Sequence, residues 1–197
     1  FEPLLEALYK VLTARGIQVD RLQLPLGFHT GFRHPTLWAN VVTWRADAGF
    51  NDSFEVTHSE MALRLSADSD SEESPRNPFQ YLYQNNLKFL HCKLDEVGEL
   101  EFELFRELRA AGFKDYFAFS INVPGSDSRQ GVSIASRAFF PSCLEATIEQ
   151  LSAPFALALH GIYRMSQATE LSRAYLGRRT GARVLSGDIV RGNTTLI

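Results

Sequence analysis

Cysteine is scarce in this chain: Cys92 and Cys143 are the only two. Neither sits in a Cys-x-x-Cys pair or at a Cys/His spacing that would hold zinc, which argues against a zinc module and a disulfide framework alike. Two unpaired thiols fit a reducing, cytoplasmic setting. Long apolar runs are missing too, with none approaching the ~18 residues that a membrane-spanning helix needs. The opening FEPLLEALYK lacks the basic region and cleavage site of a signal peptide. Charge of one sign is not in excess: the net charge of −3 gives no field that would draw nucleic acid or an anionic membrane. Phosphate-loop, Gly-x-Ser-x-Gly and His-Glu-x-x-His motifs are all lacking. Ser, His and Asp occur, but their spacing implies no triad. The fragment is therefore expected to carry no catalytic residues and no metal site, and to bind neither nucleic acid nor membrane.

What the chain has is an ordinary hydrophobic fraction of 45% and a length, 197 residues, sufficient for one domain with a helical extension. Pro3 to Arg15 carries Leu4, Leu5, Leu8, Val11 and Leu12 at helical spacing and meets a stop at Gly16. Leu22, Leu24 and Leu26 alternate as in a strand, and Leu37 to Arg45 reads as the next strand. Phe54 to His58 is a weaker extended candidate. Ser66 to Asn77 is polar and acidic and reads as a solvated loop; it lacks the Gly and the Glu spacing of a calcium loop. Pro78 to Asn85 predicts a short helix, Leu87 to Lys93 a strand, and Leu100 to Ala111 a helix closed by Gly112. Tyr116 to Val123 and Gly131 to Ala138 predict a hairpin, and Pro141 to about Leu176 a long final helix. His29 and His34 are read as polar groups at a strand end rather than as a metal pair.

This order is α+β, an antiparallel sheet covered by helices. It resembles the order of GAF domains, the small-molecule sensory modules, over roughly Phe1 to Ile162. The resemblance implies a GAF-like antiparallel sheet flanked by helices, enclosing a mostly apolar pocket with a few polar groups. Aromatic residues make up 12% of the chain, and many fall on the predicted strands or on the segments that would cover them. The pocket set expected on this basis is Trp38, Trp44, Arg45, Tyr81, His91, Phe117 and Phe119, around an unidentified small ligand. The alternative for these aromatics is plain core filling. His91-Cys92 keeps a haem-based gas or redox sensor open, although no Cys-x-x-Cys-His attachment motif is present.

The final helix carries Leu144, Ile148, Leu151, Phe155, Ala158, Ile162, Met165, Thr169, Ser172 and Leu176 at alternating steps of four and three. That 3.5-residue repeat is what a left-handed coiled-coil seam requires. Leu144 to Leu151 serves the domain's own sheet or the seam. From Leu151 through Leu176 the expectation is a dimer helix, with a homodimer as the assembly. Pro154 is expected to kink or divide the helix.

The last conspicuous stretch is YLGRRTGARVLSGDIVRGN. Tyr175, Leu176, Gly177, Arg178, Gly181, Arg183, Val184, Leu185, Gly187, Ile189, Arg191 and Gly192 match the segment that leads into the catalytic domain of bacterial class III adenylate/guanylate cyclases. The stretch resembles that family, and the resemblance implies a regulatory piece placed before a cyclase catalytic domain in the same polypeptide. The expected organisation is 1–142 sensory domain, 143–177 signalling helix and 178–197 lead-in segment. The implied function is control of cyclic AMP synthesis through paired helices. A ligand-free dimerisation module is the other reading that the residues leave open.

Overall fold

The computed structural model describes residues 2–27, 38–45, 55–62, 77–96, 102–122 and 129–188. His29, His34, most of the acidic loop from Ser66 and the turn after Pro124 lie outside them. The elements in chain order are α1 (Glu2–Ala14), β1 (Arg21–Gly27), β2 (Trp38–Arg45), β3 (Glu55–Ala62), α2 (Pro78–Gln84), β4 (Phe89–Lys93), α3 (Glu103–Ala110), β5 (Asp115–Asn122), β6 (Arg129–Ser136) and α4 (Leu144–Leu185). The strands form one sheet in the order β3-β2-β1-β6-β5-β4, and every neighbouring pair is antiparallel.

The chain divides into two compact units, 1–157 and 158–197. The first holds the sheet. Strand β5 is buried from Asp115 through Phe119, because both faces of the sheet are covered and successive side chains point to opposite sides. One side carries Leu22, Leu24, Phe117, Phe119, Val132 and Ile134, all at most 2% exposed. The buried helical residues on that side include Leu5, Leu8 and Leu12 of α1 and Leu144, Ile148 and Phe155 of α4. Arg15 Nη1 donates to Gln150 Oε1 at 2.9 Å and ties the end of α1 to α4. The other side carries Tyr116, Ala118 and Ala135, packed with Leu82 of α2, Phe105 and Leu108 of α3, and Leu90, Leu94, Phe102 and Phe113.

Local chemistry sets these covering helices. Asn77 caps α2 by accepting the Gln80 N–H at 2.8 Å, and Pro78 follows in the first turn, where its missing N–H costs nothing. Gly112 closes α3 at φ +80°. Gly131 of β6 allows α2 to approach closely: a Cβ there would lie 2.4 Å from the Phe79 ring and 2.7 Å from the Tyr83 hydroxyl.

Helix α4 begins in the first unit and does not break where its proline would suggest. Pro154 sits inside the helix, and the backbone leaves helical geometry instead at Gly177, at φ 76° and ψ 162°. That region is accessible essentially only to glycine. Beyond it, the backbone of Gly181 meets that of Ser172, where an added Cβ would lie 2.8 Å from the Ser172 oxygen. In a straight helix nine residues would separate the two by about 13 Å. The segment 178–185 is therefore turned back on the helix before it. Gly187, at φ 76°, follows the last turn, and Asp188 N–H donates to Arg183 O at 2.9 Å.

The predicted apolar stripe divides by burial. Leu144, Ile148 and Phe155 are buried inside the protein, whereas Met165 (65%) and Leu176 (46%) are exposed. Ala158 is exposed, and Leu151, Ile162, Thr169 and Ser172 are half-buried.

Candidate functional site

Register across five strands builds the site. Cys92 pairs with Tyr116, Tyr116 with Ala135, Ala135 with Arg21 and Arg21 with Arg45. These five residues form one row on the α2/α3 side of the sheet. The next row on that side runs Leu90, Ala118, Ser133, Gln23 and Thr43. The middle of both rows is small: Ala135, Ser133 and Ala118. Phe105 packs on the Tyr116 ring at 5.0 Å.

Several polar groups are held in this apolar setting. The Tyr116 hydroxyl is fully buried without a hydrogen-bond partner among the described residues. Burial drives its pKa well above the usual phenol range, while Ser133 and Arg21 pull it back. The Tyr83 phenol is pushed up to about 12 by burial, against an opposing backbone contact from Gly131. Burial also pushes the Cys92 thiol up to about 11, so it stays protonated at neutral pH. Arg21 is partly desolvated, which lowers its pKa; the like charge of Arg45 acts in the same direction, and Tyr116 and Glu107 oppose it. Among the described residues no three His, Cys, Asp or Glu side chains converge on a metal position.

The residues expected from sequence do not share this face. Tyr81 does lie on the α2 side, half-buried and edge-on to Phe102 at 6.1 Å. Arg45 is exposed, opposite Arg21. Phe117 and Phe119 are buried on the α1/α4 side, 6.4 Å apart. His91 is on that side too, 5.6 Å from Phe117 and 6.1 Å from Phe140. Trp38 and Trp44 stand in register with Ala62 and Leu22, and their side chains lie outside the description. The expected set is thus split across the two sides of the sheet. His91 and Cys92, as consecutive strand residues, also point to opposite sides and form no joint ligand pair. Tyr116, Arg21, Ser133 and Tyr83 are not in the expected set. Parity along YFAFS separates Tyr116 from Phe117, but only the register of β1 against β6 brings Arg21 to Tyr116.

Two carboxylates connect this row to the chain that leads into α4. Asp115, beside Tyr116, accepts the Phe140 N–H through Oδ2 at 2.8 Å. Its Oδ1 accepts the Tyr116 N–H at 3.1 Å and lies 2.9 Å from His91 Nε2. Asp20, beside Arg21, accepts the Arg137 N–H at 2.7 Å and the Ser136 hydroxyl at 3.2 Å, both through Oδ2. A shallow groove of about 340 Å³ between Lys88, Ile121 and Ala156 is open and has no comparable buried polar groups.

No family model matches the sequence, and no curated protein matches it. Solved structures do. The GAF domain of a two-component sensor histidine kinase from Bacillus halodurans is 13% identical, with a TM-score of 0.54 over 85% of this chain and 98% of that one. A GAF domain region from Geobacter sulfurreducens is 16% identical at a TM-score of 0.48, covering 80% of this chain and 93% of that one. A GAF3 domain from Synechocystis in its photoproduct state is 10% identical at 0.48, over 84% and 96%. The first likeness shows that the fold is GAF-like: α+β, an antiparallel sheet flanked by helices, with a long C-terminal helix. No described helix is long and apolar enough to cross a membrane.

Proposed function

We propose that this chain is a cytoplasmic sensory domain that binds a small ligand on the α2/α3 side of its sheet and regulates a class III cyclase catalytic domain carried in cis. It acts as a homodimer whose paired terminal helices set how two catalytic domains meet. The observation that carries the cyclase reading is the geometry of the lead-in motif. Three of its glycines have separate backbone duties: Gly177 makes the break, Gly181 the close approach and Gly187 the end. The packing of Gly181 against Ser172 supports reading this stretch as a folded connecting element.

The sensory reading is supported by the fold and by the position of the two carboxylates. Asp20 and Asp115 are each one residue from a site residue, and both fix the 136–140 connection before α4. A ligand that prefers one arrangement of Arg21 and Tyr116 would bias that connection, and binding drives a change only through such a preference.

Native mass spectrometry of the purified chain tests the sensor. A dimer carrying additional mass is expected; a dimer at bare sequence mass favours a ligand-free dimerisation module, and a monomer removes the paired-helix mechanism. Assay of the full-length protein with ATP and with GTP tests the cyclase, and formation of neither cyclic nucleotide overturns that part alone.

A further inference from the structure

Two carboxylates tie the short connection between β6 and α4 to the sheet, and their surroundings differ. Asp20 accepts the Gln18 side-chain amide at 2.9 Å, the Ser136 hydroxyl at 3.2 Å and the Arg137 N–H at 2.7 Å. None of these three donors changes charge near neutral pH. Asp115 is 1% exposed and accepts the Tyr116 N–H and the Phe140 N–H, with His91 Nε2 on the same carboxylate. A buried carboxylate demands both a counter-charge and hydrogen bonds. Among the described residues His91 is its ion-pair partner. The His91 side chain is 35% exposed, so the ring can exchange a proton with solvent while Nε2 stays on the carboxylate. The same ring lies 6.1 Å from that of Phe140 and 5.6 Å from that of Phe117. Phe140 thus meets the pair twice: its N–H holds one carboxylate oxygen, and its ring flanks the imidazole.

We propose that Asp115, His91 and Phe140 form a proton-dependent latch on the connection into α4: a protonated His91 keeps Phe140 seated, and loss of that proton loosens it. With Phe140 in place the ion pair is shielded from water, where two opposite charges attract strongly. Lifting Phe140 removes a hydrogen bond from the carboxylate and admits water, which weakens that attraction. Coupling of this kind is reciprocal: if seating of Phe140 favours the protonated imidazole, protonation favours the seat. The hydrogen bond to Asp115 is the largest influence on His91 and favours the proton, and burial opposes it. The charges of Asp115 on β5 and Glu145 in the first turn of α4 also favour the proton, and Lys93 on β4 opposes it. The closed state therefore holds the His91 pKa above its ordinary 6.5. Support for the seat is full below the ordinary value and is lost as pH rises through the raised one. Asp20, with no titrating partner among the described residues, holds residues 136 and 137 throughout this range. The latch does not depend on which ligand the other side of the sheet takes.

The test is amide hydrogen exchange of the 197-residue chain, followed by NMR from about pH 5.5 to about 8.5, which spans histidine titration, and corrected for intrinsic exchange rates. Protection of the Phe140 amide, on Asp115, is expected to fall severalfold toward the alkaline end, and that of the Arg137 amide, on Asp20, to stay level. His91→Gln keeps a side-chain donor but no titratable charge, and is expected to flatten the Phe140 profile. Phe140→Ala is expected to lower the pH at which the His91 ring titrates in its own NMR signals, because the pair loses the ring that flanks it. A level Phe140 profile in the wild-type chain overturns the latch, and that outcome depends on no variant. A slope that survives His91→Gln belongs to another group and overturns the proposal. An equal fall at Arg137 and Phe140 is a change in global stability and overturns it too, as does an unshifted His91 titration in Phe140→Ala, which removes the reciprocal coupling. The sensory and cyclase readings are decided separately, by bound mass and by cyclic-nucleotide formation.

Discussion

Asp115 serves three partners with two oxygens: the Tyr116 and Phe140 N–H groups and His91 Nε2. The hydrogen bond to Asp115 raises the His91 pKa above its ordinary 6.5, burial opposes this, Glu145 adds to it and Lys93 subtracts. A histidine whose folded pKa is raised contributes stability that is fully present below the unfolded pKa and is lost as pH rises through the folded value. Wild type is therefore expected to melt above His91→Gln below about pH 6.5, with the gap closing under alkaline conditions. A gap that widens with pH would contradict the pairing. At Gly131, alanine would drive a Cβ into the Phe79 ring and the Tyr83 hydroxyl. Gly131→Ala is expected to cost about 1–3 kcal/mol in urea unfolding, the range for overpacking. A neutral result would mean that α2 moves away without penalty.

At the scale of elements, a proline and a glycine in α4 exchange the roles expected of them. Pro154 removes one hydrogen bond, but the turn around it holds and Ser152 Oγ donates to Ile148 O at 2.7 Å. Gly177 lies in a backbone region that other residues enter at a cost of about 1–3 kcal/mol. Gly177→Ala is therefore expected to loosen the turn-back, and amide hydrogen exchange should accelerate across residues 178–188. Gly181→Val should do the same by a different cause, collision with the Ser172 backbone. Unchanged exchange in both variants would remove the folded lead-in element from the mechanism. If the segment leads into a cyclase domain as proposed, either substitution is expected to change cyclic-nucleotide formation without altering the sheet.

At the scale of the whole molecule, the large apolar side chains left exposed among the described residues are concentrated late in α4. Met165, Leu171, Tyr175 and Leu176 are each 46% exposed or more, whereas the earlier stripe is consumed by burial. If the late helix pairs with a second copy, Met165→Glu combined with Leu176→Glu should convert a dimer to a monomer in light scattering. The folded sheet should persist by circular dichroism. An unchanged mass would place the dimer contact elsewhere.

Local pattern alone determined the helices and strands, since periodicity and glycine stops act over a few residues: Leu5, Leu8 and Leu12 face the core as their spacing requires. The backbone demands of the last segment were also legible, because Gly177, Gly181 and Gly187 are spaced within one short stretch. Which aromatics share a site was not. Phe117 and Tyr116 look equivalent in sequence, yet the pleat sends them to opposite sides of the sheet. Arg21 reaches Tyr116 only because β1 lies beside β6 and β6 beside β5 in one particular register. Register is settled by burial of whole faces at once, so only the tertiary structure could decide that a half-buried guanidinium and a buried hydroxyl share one row.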